Sequence, residues 1–449
     1  MLQSARAIPL SNHTGQTIDV EILQIDETRV QIRRKNGDEF WIERQSLSAE
    51  SQQVIGVITA QQGREFQKIN ALVGIQLLKD NHLWDDPVNE VARRLQWPLE
   101  SQTETQSSFR YYPPASYRIL QARPHSAAVY GDHGQTSRLS FVFANKGDAT
   151  FSEPPRKAEI KAMQTAIKID ADQLYKRFKE ALGKPREQAF GTARGLKERI
   201  KRWDWRGHSF LLATESGEYV SLRIVPTATA DNNGRGQRFS DSDLRKLAQQ
   251  NIKTRSNGDV VIDNIPMVHQ GPKGYCVPAT FERYLRYMQI PADMYMLAMA
   301  GQTGLGGGTS THNLINAVER YIHTQSRKMK QLQESISIRT VRKYIDKGLP
   351  LIWTMYSSDA YNQYANQRTR ARETVQDWKT WATTCRIDAR AMELSKDPMR
   401  AHICLITGYN QATDEIAVSD SWGPAYNERW ISAEQAEQVS QGALYFISF

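Results

Sequence analysis

Residues 270–279 have the sequence QGPKGYCVPA, and this stretch decides the fold of the C-terminal part of the chain. Pro278 is suited to the first turn of a helix, where its missing N–H costs nothing. The residues that follow place apolar side chains at helical spacing, namely Phe281, Tyr284, Leu285 and Met288. The sequence therefore predicts a helix that begins at Cys276 and buries one face against a core.

The position of Cys276 favours nucleophilic chemistry. A thiol at a helix N-terminus lies at the positive end of the helix dipole, which favours the thiolate, the nucleophilic form of cysteine. Gln270 lies six residues before it. Its side-chain amide can donate to the oxyanion that forms when a thiolate attacks a carbonyl.

A candidate base and its partner follow downstream. Residues 401–410 (AHICLITGYN) read as a strand that ends in a turn, and His402 lies at its start. Residues 420–423 (DSWG) begin with Asp420. Two strands that carry His402 and Asp420 can place an imidazole beside the thiol and a carboxylate behind the imidazole. The imidazole would take the thiol proton, and the carboxylate would fix its tautomer and orientation.

These motifs carry a resemblance to a known family. Residues 262–449 resemble a papain-like cysteine peptidase, closest to the bacterial bacteriocin-processing and staphopain-type branches. The resemblance rests on Gln270-Gly271 with Cys276, on His402 at a strand start, and on the motif that begins at Asp420. Papain has asparagine at the start of the last motif; the bacteriocin-processing branch has aspartate, as here.

The resemblance implies a role for each residue of the site. Cys276 is implied as nucleophile, His402 as general base and acid, Asp420 as the group that orients the histidine, and Gln270 as the oxyanion donor. Trp422 is implied to shield the His–Asp hydrogen bond from water. The implied activity is that of a cysteine-type peptidase that cleaves peptide bonds without a metal or other cofactor, on a peptide or protein substrate.

Each of these residue types also has a structural interpretation. A lone cysteine is often a small buried hydrophobe, a lone histidine is often structural, an aspartate can cap a turn, and a tryptophan can fill a core. We interpret His269 as structural. Cys404 lies two residues past His402, on the same face of a strand, and is expected to pack beside the site without reacting.

A glycine-rich loop belongs to the same part of the chain. Residues 301–311 (GQTGLGGGTST) precede a helical pattern but lack the lysine of a phosphate-binding loop. A tight turn in which Thr309 or Thr311 caps the helix is favoured. In a papain-like fold the backbone of Gly307 and Gly308 could line the substrate cleft, with Tyr275 as a supporting residue.

Composition bounds the remaining classes of function. The chain has 449 residues, 40% hydrophobic and 24% charged, with three cysteines and a net charge of +9. These values indicate several soluble domains without a disulfide framework, and no apolar run is long enough to span a membrane. Basic residues between Arg156 and Arg202 alternate with acidic ones, which is typical of a solvated surface, and no nucleic-acid-binding motif is present.

The compartment stays open at this point. The first seven residues (MLQSARA) lack the apolar core of a signal peptide. A free active-site thiol and few cysteines fit an exported bacterial peptidase (periplasmic or secreted, with its signal peptide absent from this chain) and also a cytoplasmic one.

The N-terminal segment is predicted to be a separate module. Residues 1–60 are expected to form a small β barrel, because apolar residues alternate in three segments and Asn36-Gly37 suits a two-residue hairpin turn. A short helix is expected to start at residues 46–50. The segment resembles an SH3-like homology domain first described in an actin-adaptor protein, which implies an interaction with a protein partner.

An internal duplication is predicted between this module and the peptidase-like part. A first α+β unit spans residues 61–150 and a second 151–235, each with one helix, a histidine and a turn glycine in the same order. The helices are expected to begin at Asp86-Pro87 and at Asp172, and the histidines are His125 and His208. Because no further ligand residues accompany them, the histidines are expected to make a repeated structural hydrogen bond.

The expected architecture is therefore multidomain α+β. A linker at 236–258, with a short helix near Asp241–Gln250, leads to a papain-like domain of helix and antiparallel sheet at 259–449. Within that domain, residues 357–400 form an insertion that covers the cleft or a helical packing layer. The alternatives to a peptidase are a Cys-dependent amidase, isopeptidase or acyl transferase, or a catalytically silent binding or scaffold protein. Whether residues 1–258 are inhibitory, targeting or substrate-binding stays open.

Overall fold

The computed structural model describes residues 7–80, 82–191, 196–236 and 238–449. The chain divides into two compact units, Met1–Leu83 and Trp84–Phe449. Residues 1–6, which bear on the signal-peptide prediction, lie outside the described residues. Both units mix helices with antiparallel sheets, and no helix in the described ranges is long and apolar enough to cross a membrane.

The N-terminal unit is a four-stranded antiparallel sheet followed by a long helix. The strands are β1 (Ile8–Ser11), β2 (Thr17–Ile25), β3 (Arg29–Arg34) and β4 (Glu39–Glu43), paired in that order. After a 3₁₀ turn (Arg44–Ser46), α1 (Ala49–Val73) begins with Ser48 as N-cap.

Two local predictions for this unit need correction. The helix runs for 25 residues, far beyond the short one expected. The β3–β4 turn is also longer than two residues, because the N–H of Arg34 bonds the carbonyl of Asp38 at 2.9 Å. Gly37 has φ +94° whereas Asn36 does not enter the left-handed region, so the turn that requires positive φ at both residues does not form.

The second unit begins with one continuous eight-stranded sheet. Its order is β5-β6-β7-β8-β12-β11-β10-β9, so two four-stranded meanders meet edge to edge through β8 and β12. The strands are β5 (Leu99–Gln102), β6 (Gln106–Tyr111), β7 (Ser126–Asp132), β8 (Gln135–Asn145), β9 (Arg186–Phe190), β10 (Glu198–Trp205), β11 (His208–Glu215) and β12 (Tyr219–Pro226). A helix precedes each meander, α2 (Val88–Leu95) and α3 (Lys157–Leu182), and α4 (Thr227–Asp231) follows the second.

The strands of the two predicted α+β units thus share one sheet. The start of α3 was predicted too late, because this helix begins at Lys157 and not at Asp172. Glu159 closes the N-terminus, since its carboxylate accepts the backbone N–H of Arg156 at 2.9 Å. The duplication itself stays a prediction.

The peptidase-like part pairs a helical layer with a second antiparallel sheet. Its helices are α5 (Asp241–Gln250), α6 (Cys276–Tyr287), α7 (Met294–Ala300), α8 (Thr311–Thr324), α9 (Ile338–Ile345), α10 (Asp359–Arg372), α11 (Trp378–Ala391) and α12 (Ala433–Gln438). Its strands are β13 (Ile252–Thr254), β14 (Asp259–Ile262), β15 (Lys328–Leu332), β16 (Leu351–Tyr356), β17 (Ala401–Asn410), β18 (Glu415–Ser419), β19 (Arg429–Ser432) and β20 (Ser440–Ser448). The sheet order is β13-β14-β17-β16-β20-β15, and β18 and β19 extend from β17.

Helix α6 lies at the centre of this part, because its apolar side chains are buried together with those of β16 and β17. The predicted linker, 236–258, holds α5 at the predicted position and also β13. The insertion, 357–400, forms α10 and α11, and Arg368 of α10 is paired with the buried Glu415 of β18 at 2.6 Å. These contacts match the packing-layer interpretation of the insertion.

Candidate active site

Cys276 is the first residue of α6, as the sequence predicts. Its side chain is half-buried, whereas Cys385 and Cys404 are buried. Burial raises the pKa of both other thiols well above the usual range of cysteine. The first N–H groups of a helix have no intrahelical acceptor, and those of Cys276 and Val277 lie at the start of α6.

His402 and Asp420 meet in a buried hydrogen bond. His402 is the second residue of β17, and Asp420 directly follows β18, which pairs with β17. The imidazole Nε2 lies 3.0 Å from Asp420 Oδ1. The Cys276 side chain lies close enough to the ring to raise its pKa. Because Nε2 faces Asp420, the nitrogen that remains for the sulfur is Nδ1.

These contacts set the proton affinity of the imidazole. Burial alone lowers the pKa of His402, but the hydrogen bonds with Asp420 and Cys276 outweigh it and raise the pKa to about 9. The charged imidazolium is therefore the stable form of the ring at neutral pH. Such a ring can hold a proton that has left the neighbouring thiol.

A guanidinium holds the other side of Asp420. Arg429, at the start of β19, places Nε and Nη2 at 3.0 and 2.6 Å from Asp420 Oδ2. Burial of the Asp420 carboxylate would raise its pKa, but the charges of Arg429 and His402 keep the pKa below the usual value. The third nitrogen, Nη1, donates to the amide oxygens of Asn362 and Asn366 on α10 at 3.0 and 3.2 Å. The insertion thus supports Asp420 indirectly, through its contacts with Arg429.

Trp422 covers the imidazole. The indole ring lies 4.8 Å from the His402 ring, centre to centre, with the two planes inclined by 28°. The Arg429 guanidinium lies 5.2 Å from the same indole. Since Trp422 is half-buried, it separates the buried polar cluster from solvent.

The backbone of Gln270 is hydrogen-bonded to the loop that carries Asp420 and Trp422. Its N–H donates to the carbonyl of Ser421 at 2.8 Å, which ties the loop before α6 to the loop of Asp420. The side-chain nitrogen makes only a long contact of 3.4 Å with the Lys273 carbonyl. The side-chain oxygen is buried and has no hydrogen-bond partner among the described residues. The amide is therefore weakly restrained, and its donor is not committed to a strong bond.

The glycine-rich loop lies directly against the segment before Cys276. The N–H of Gly308 bonds the carbonyl of Gly274 at 2.9 Å, and Gly274 and Gly307 form a parallel bridge. A side chain at Gly307 would begin 2.7 Å from the Gly274 nitrogen. The helix cap was predicted at the wrong residue, because the hydroxyl of Ser310 caps α8 and accepts the N–H of Asn313 at 3.3 Å.

Two further predicted residues lie outside the immediate site. The ring of Tyr275 is buried against Tyr295, and its hydroxyl accepts the side-chain N–H of Asn145 at 2.7 Å. The Tyr275 side chain is therefore directed into the protein interior. His269 accepts the N–H of Gly271 at its Nδ1, at 2.9 Å, which fits its structural interpretation.

The repeated histidines occupy equivalent places in the two meanders. His125 directly precedes β7, and His208 opens β11. The Nδ1 of His208 lies 2.8 Å from the Arg206 carbonyl. In the described part of the chain, no three His, Cys, Asp or Glu side chains are grouped so that they could hold a metal ion.

Sequence reasoning missed the residues that support the site from a distance. Arg429 had a local signal, since it begins a buried strand segment, Arg429–Ser432, that is otherwise without charge. Asn145 and Tyr112, which also contact the loop before α6, lie more than a hundred residues away in the chain. No local pattern connects such residues to Cys276.

Comparison with known proteins adds one finding. Residues 262–443 match the model of the Peptidase_C39 like family. This match supports a papain-like cysteine peptidase-type domain in the C-terminal part of the chain and implies a peptide or protein substrate. No curated protein matches the chain significantly.

Proposed function

We propose that residues 259–449 hydrolyse peptide bonds with a Cys276–His402–Asp420 triad, in the manner of the bacteriocin-processing branch of papain-like enzymes. The observation that carries the proposal is the buried 3.0 Å hydrogen bond between His402 Nε2 and Asp420 Oδ1, on a ring whose pKa the nearby Cys276 side chain also raises. A base oriented by a third group and bonded to a nucleophile is what covalent catalysis requires.

The reaction begins from an ion pair, in which Nδ1 of His402 already holds the proton that has left the Cys276 thiol, as the raised pKa of the ring favours. The sulfur then attacks the substrate carbonyl carbon, and the carbonyl oxygen becomes an oxyanion. The free N–H groups at the start of α6 and the side-chain amide of Gln270 are the proposed donors to that oxygen. Gln270 can turn toward it at small cost, because its present 3.4 Å contact is weak.

The second half of the reaction returns the proton. The intermediate collapses, the C–N bond breaks, and His402 gives its proton to the leaving amine. A thioester on Cys276 remains. Water then attacks this thioester while His402 takes a proton from the water, and release of the carboxylic acid leaves the sulfur as thiolate beside the protonated ring, which restores the starting pair. Asp420 holds the ring in one orientation throughout, and Trp422 keeps water from the His402–Asp420 bond. We also propose that the backbone of Gly307 and Gly308 lines the cleft beside Cys276.

The test is cleavage of a peptide library by the full-length chain, with new N-termini identified by mass spectrometry. Wild-type protein is expected to generate cleavage products, and Cys276→Ala is expected to generate none. Adding an acceptor amine separates the alternatives, since an acyl transferase would form the amide of that amine in place of the free acid. Absence of both products from the wild-type chain contradicts the proposal and favours a silent binding protein.

We propose separately that residues 1–60 form an SH3-like interaction module. Its support is a four-stranded antiparallel sheet whose buried face includes Leu10, Val20, Val30 and Ile32. The test is co-purification of a protein partner with the full-length chain. Loss of that partner on substitution of exposed residues of β2–β4 is expected, and retention of the partner contradicts the proposal.

A further inference from the structure

The first meander of the eight-stranded sheet contacts the loop that leads to Cys276. The hydroxyl of Ser101 accepts the N–H of Met267 at 2.9 Å. Glu100 Oε1 accepts the N–H of His269 at 2.8 Å, and the Tyr112 hydroxyl donates to the His269 carbonyl at 2.6 Å. Both backbone groups of the residue before Gln270 are therefore bonded to the sheet.

Glu100, the acceptor of the His269 N–H, is itself held by further hydrogen bonds. Glu100 is buried, and its carboxylate is bonded to Arg110 Nε at 2.5 Å and to the Ser108 hydroxyl at 2.9 Å. A charge-assisted hydrogen bond to a buried, paired carboxylate is stronger than one between neutral groups. The sheet therefore presents a rigid partner to His269.

Tyr112 also packs closely against Gly271, the residue that follows Gln270. A Cβ atom at Gly271 would lie 3.0 Å from the Tyr112 ring, and the rings of Tyr112 and His269 are 5.5 Å apart. Gly271 has φ +75°, a conformation that glycine adopts without strain. Gln270 thus lies between two residues that both contact Tyr112.

A second group of contacts reaches the residue next to the thiol. Asn145, at the end of β8, donates to the Tyr275 hydroxyl at 2.7 Å and accepts the N–H of Gly147 at 3.0 Å. A side chain at Gly147 would collide with the Tyr275 ring. The carbonyl of Lys146 accepts the N–H of Gly306, in the glycine-rich loop, at 3.2 Å. The turn that follows β8 therefore contacts both Tyr275, next to the thiol, and the glycine-rich loop.

We infer that the first meander is a constituent of the active site, in which Tyr112 positions Gln270 and Asn145 positions Cys276. This inference rests on the proposed peptidase function. It assigns the sheet a positioning role and not that of an inhibitory segment that must leave, since its departure would remove the hydrogen-bond partners of His269 and Tyr275.

The test compares Tyr112→Phe and Asn145→Ala in the full-length chain. Tyr112→Phe keeps the ring and removes only the hydroxyl that bonds the His269 carbonyl. It should lower kcat by about 5- to 30-fold, with KM changed less than about twofold, because an oxyanion donor acts in the transition state. Alkylation of Cys276 by iodoacetamide involves no carbonyl oxyanion and should keep its rate. Asn145→Ala should slow both reactions.

Tyr287→Phe is the matched control, because it removes a buried tyrosine hydroxyl that bonds the Gly348 carbonyl at 2.8 Å, at the far end of α6. It should leave both rates unchanged. Hydrogen exchange of residues 267–276 should accelerate in Tyr112→Phe and not in Tyr287→Phe, whether or not the chain cleaves the peptides supplied. Unchanged kcat and exchange in Tyr112→Phe overturn the inference. A wild-type chain that cleaves no peptide contradicts the proposed function, and the exchange result then still decides the positioning role.

Discussion

Arg429 and Asp420 form a buried two-point ion pair, in which Nε and Nη2 lie at 3.0 and 2.6 Å from the same carboxylate oxygen. The other oxygen bonds His402. A neutral asparagine at position 420 would leave the buried Arg429 guanidinium without a charged partner. This pair gives a physical reason why the chain carries aspartate where papain carries asparagine.

The pair predicts non-additive effects of substitution. Asp420→Asn and Arg429→Gln should each lower the free energy of unfolding by about 3–5 kcal/mol, because each removes one member of a buried ion pair and leaves the charge of the other less compensated. The double variant should lose less than the sum of the two by about 2 kcal/mol or more. Urea unfolding at pH 7 measures all three. Arg342→Gln, which breaks an exposed pair with Asp346, is the control and should cost below about 1 kcal/mol. Additive losses would show that the two residues do not depend on each other.

The raised pKa of His402 predicts the alkaline limit of activity. Peptide cleavage should fall as the pH rises through about 9, where the imidazolium loses its proton. Asp420→Asn removes a charge that raises this pKa, so the limit should move to lower pH in that variant. The pH profile of kcat/KM measures the alkaline limit of the wild type and that of the variant. An alkaline limit that Asp420→Asn leaves in place would contradict the assignment of the limit to His402.

The same shift predicts how stability depends on pH. The folded pKa of His402, about 9, exceeds the unfolded value near 6.5, so protonation of the ring stabilises the fold fully below about pH 6.5. This stabilisation is on the order of 3 kcal/mol and is lost as the pH rises through 9. The stability difference between wild type and His402→Gln should therefore shrink between pH 6.5 and 9. His323→Gln, at an exposed position, should show no such trend, and a constant difference for His402→Gln would contradict the shift.

The close approach of two glycines predicts a specific effect at Gly307. Gly307→Ala places a methyl group 2.7 Å from the Gly274 nitrogen and also strains a backbone with φ +109°. Gly442→Ala, with φ +81° and open space around it, carries the strain alone, which costs about 1–2 kcal/mol. Urea unfolding should show a larger loss for Gly307→Ala, together with slower alkylation of Cys276. Equal losses and equal alkylation rates would show that the loop does not hold the segment before Cys276.

The sequence predicted the parts of the site that depend on local pattern. The helix start at Cys276 follows from Pro278 and an apolar stripe, and the strand that begins at Ala401 follows from a continuous apolar run. The hydrogen bond between His402 and Asp420 is consistent with two strands that pair. Local sequence patterns were therefore enough to predict the residues of the proposed triad.

What the sequence did not predict depends on such contacts. Arg429 reaches Asn362 and Asn366 across a helix that was interpreted only as an insertion, and Tyr112 reaches His269 from another sheet. The early start of α3 was missed because its first half is largely exposed and rich in lysine, so its apolar positions are few. The union of two meanders through β8 and β12 depends on edge pairing, which apolar alternation within each strand does not encode.

The most direct test of the central claim is the rate at which iodoacetamide modifies Cys276 in the folded chain between pH 5 and 10, resolved by mass spectrometry. Near pH 6, Cys276 should react at least about tenfold faster than glutathione, because the proposed triad supplies His402 to hold the proton that leaves the thiol. Cys385 and Cys404 should stay unmodified, since both are buried, and His402→Gln should remove the advantage of Cys276. A rate no faster than that of glutathione, or one that His402→Gln leaves unchanged, would contradict the proposed triad.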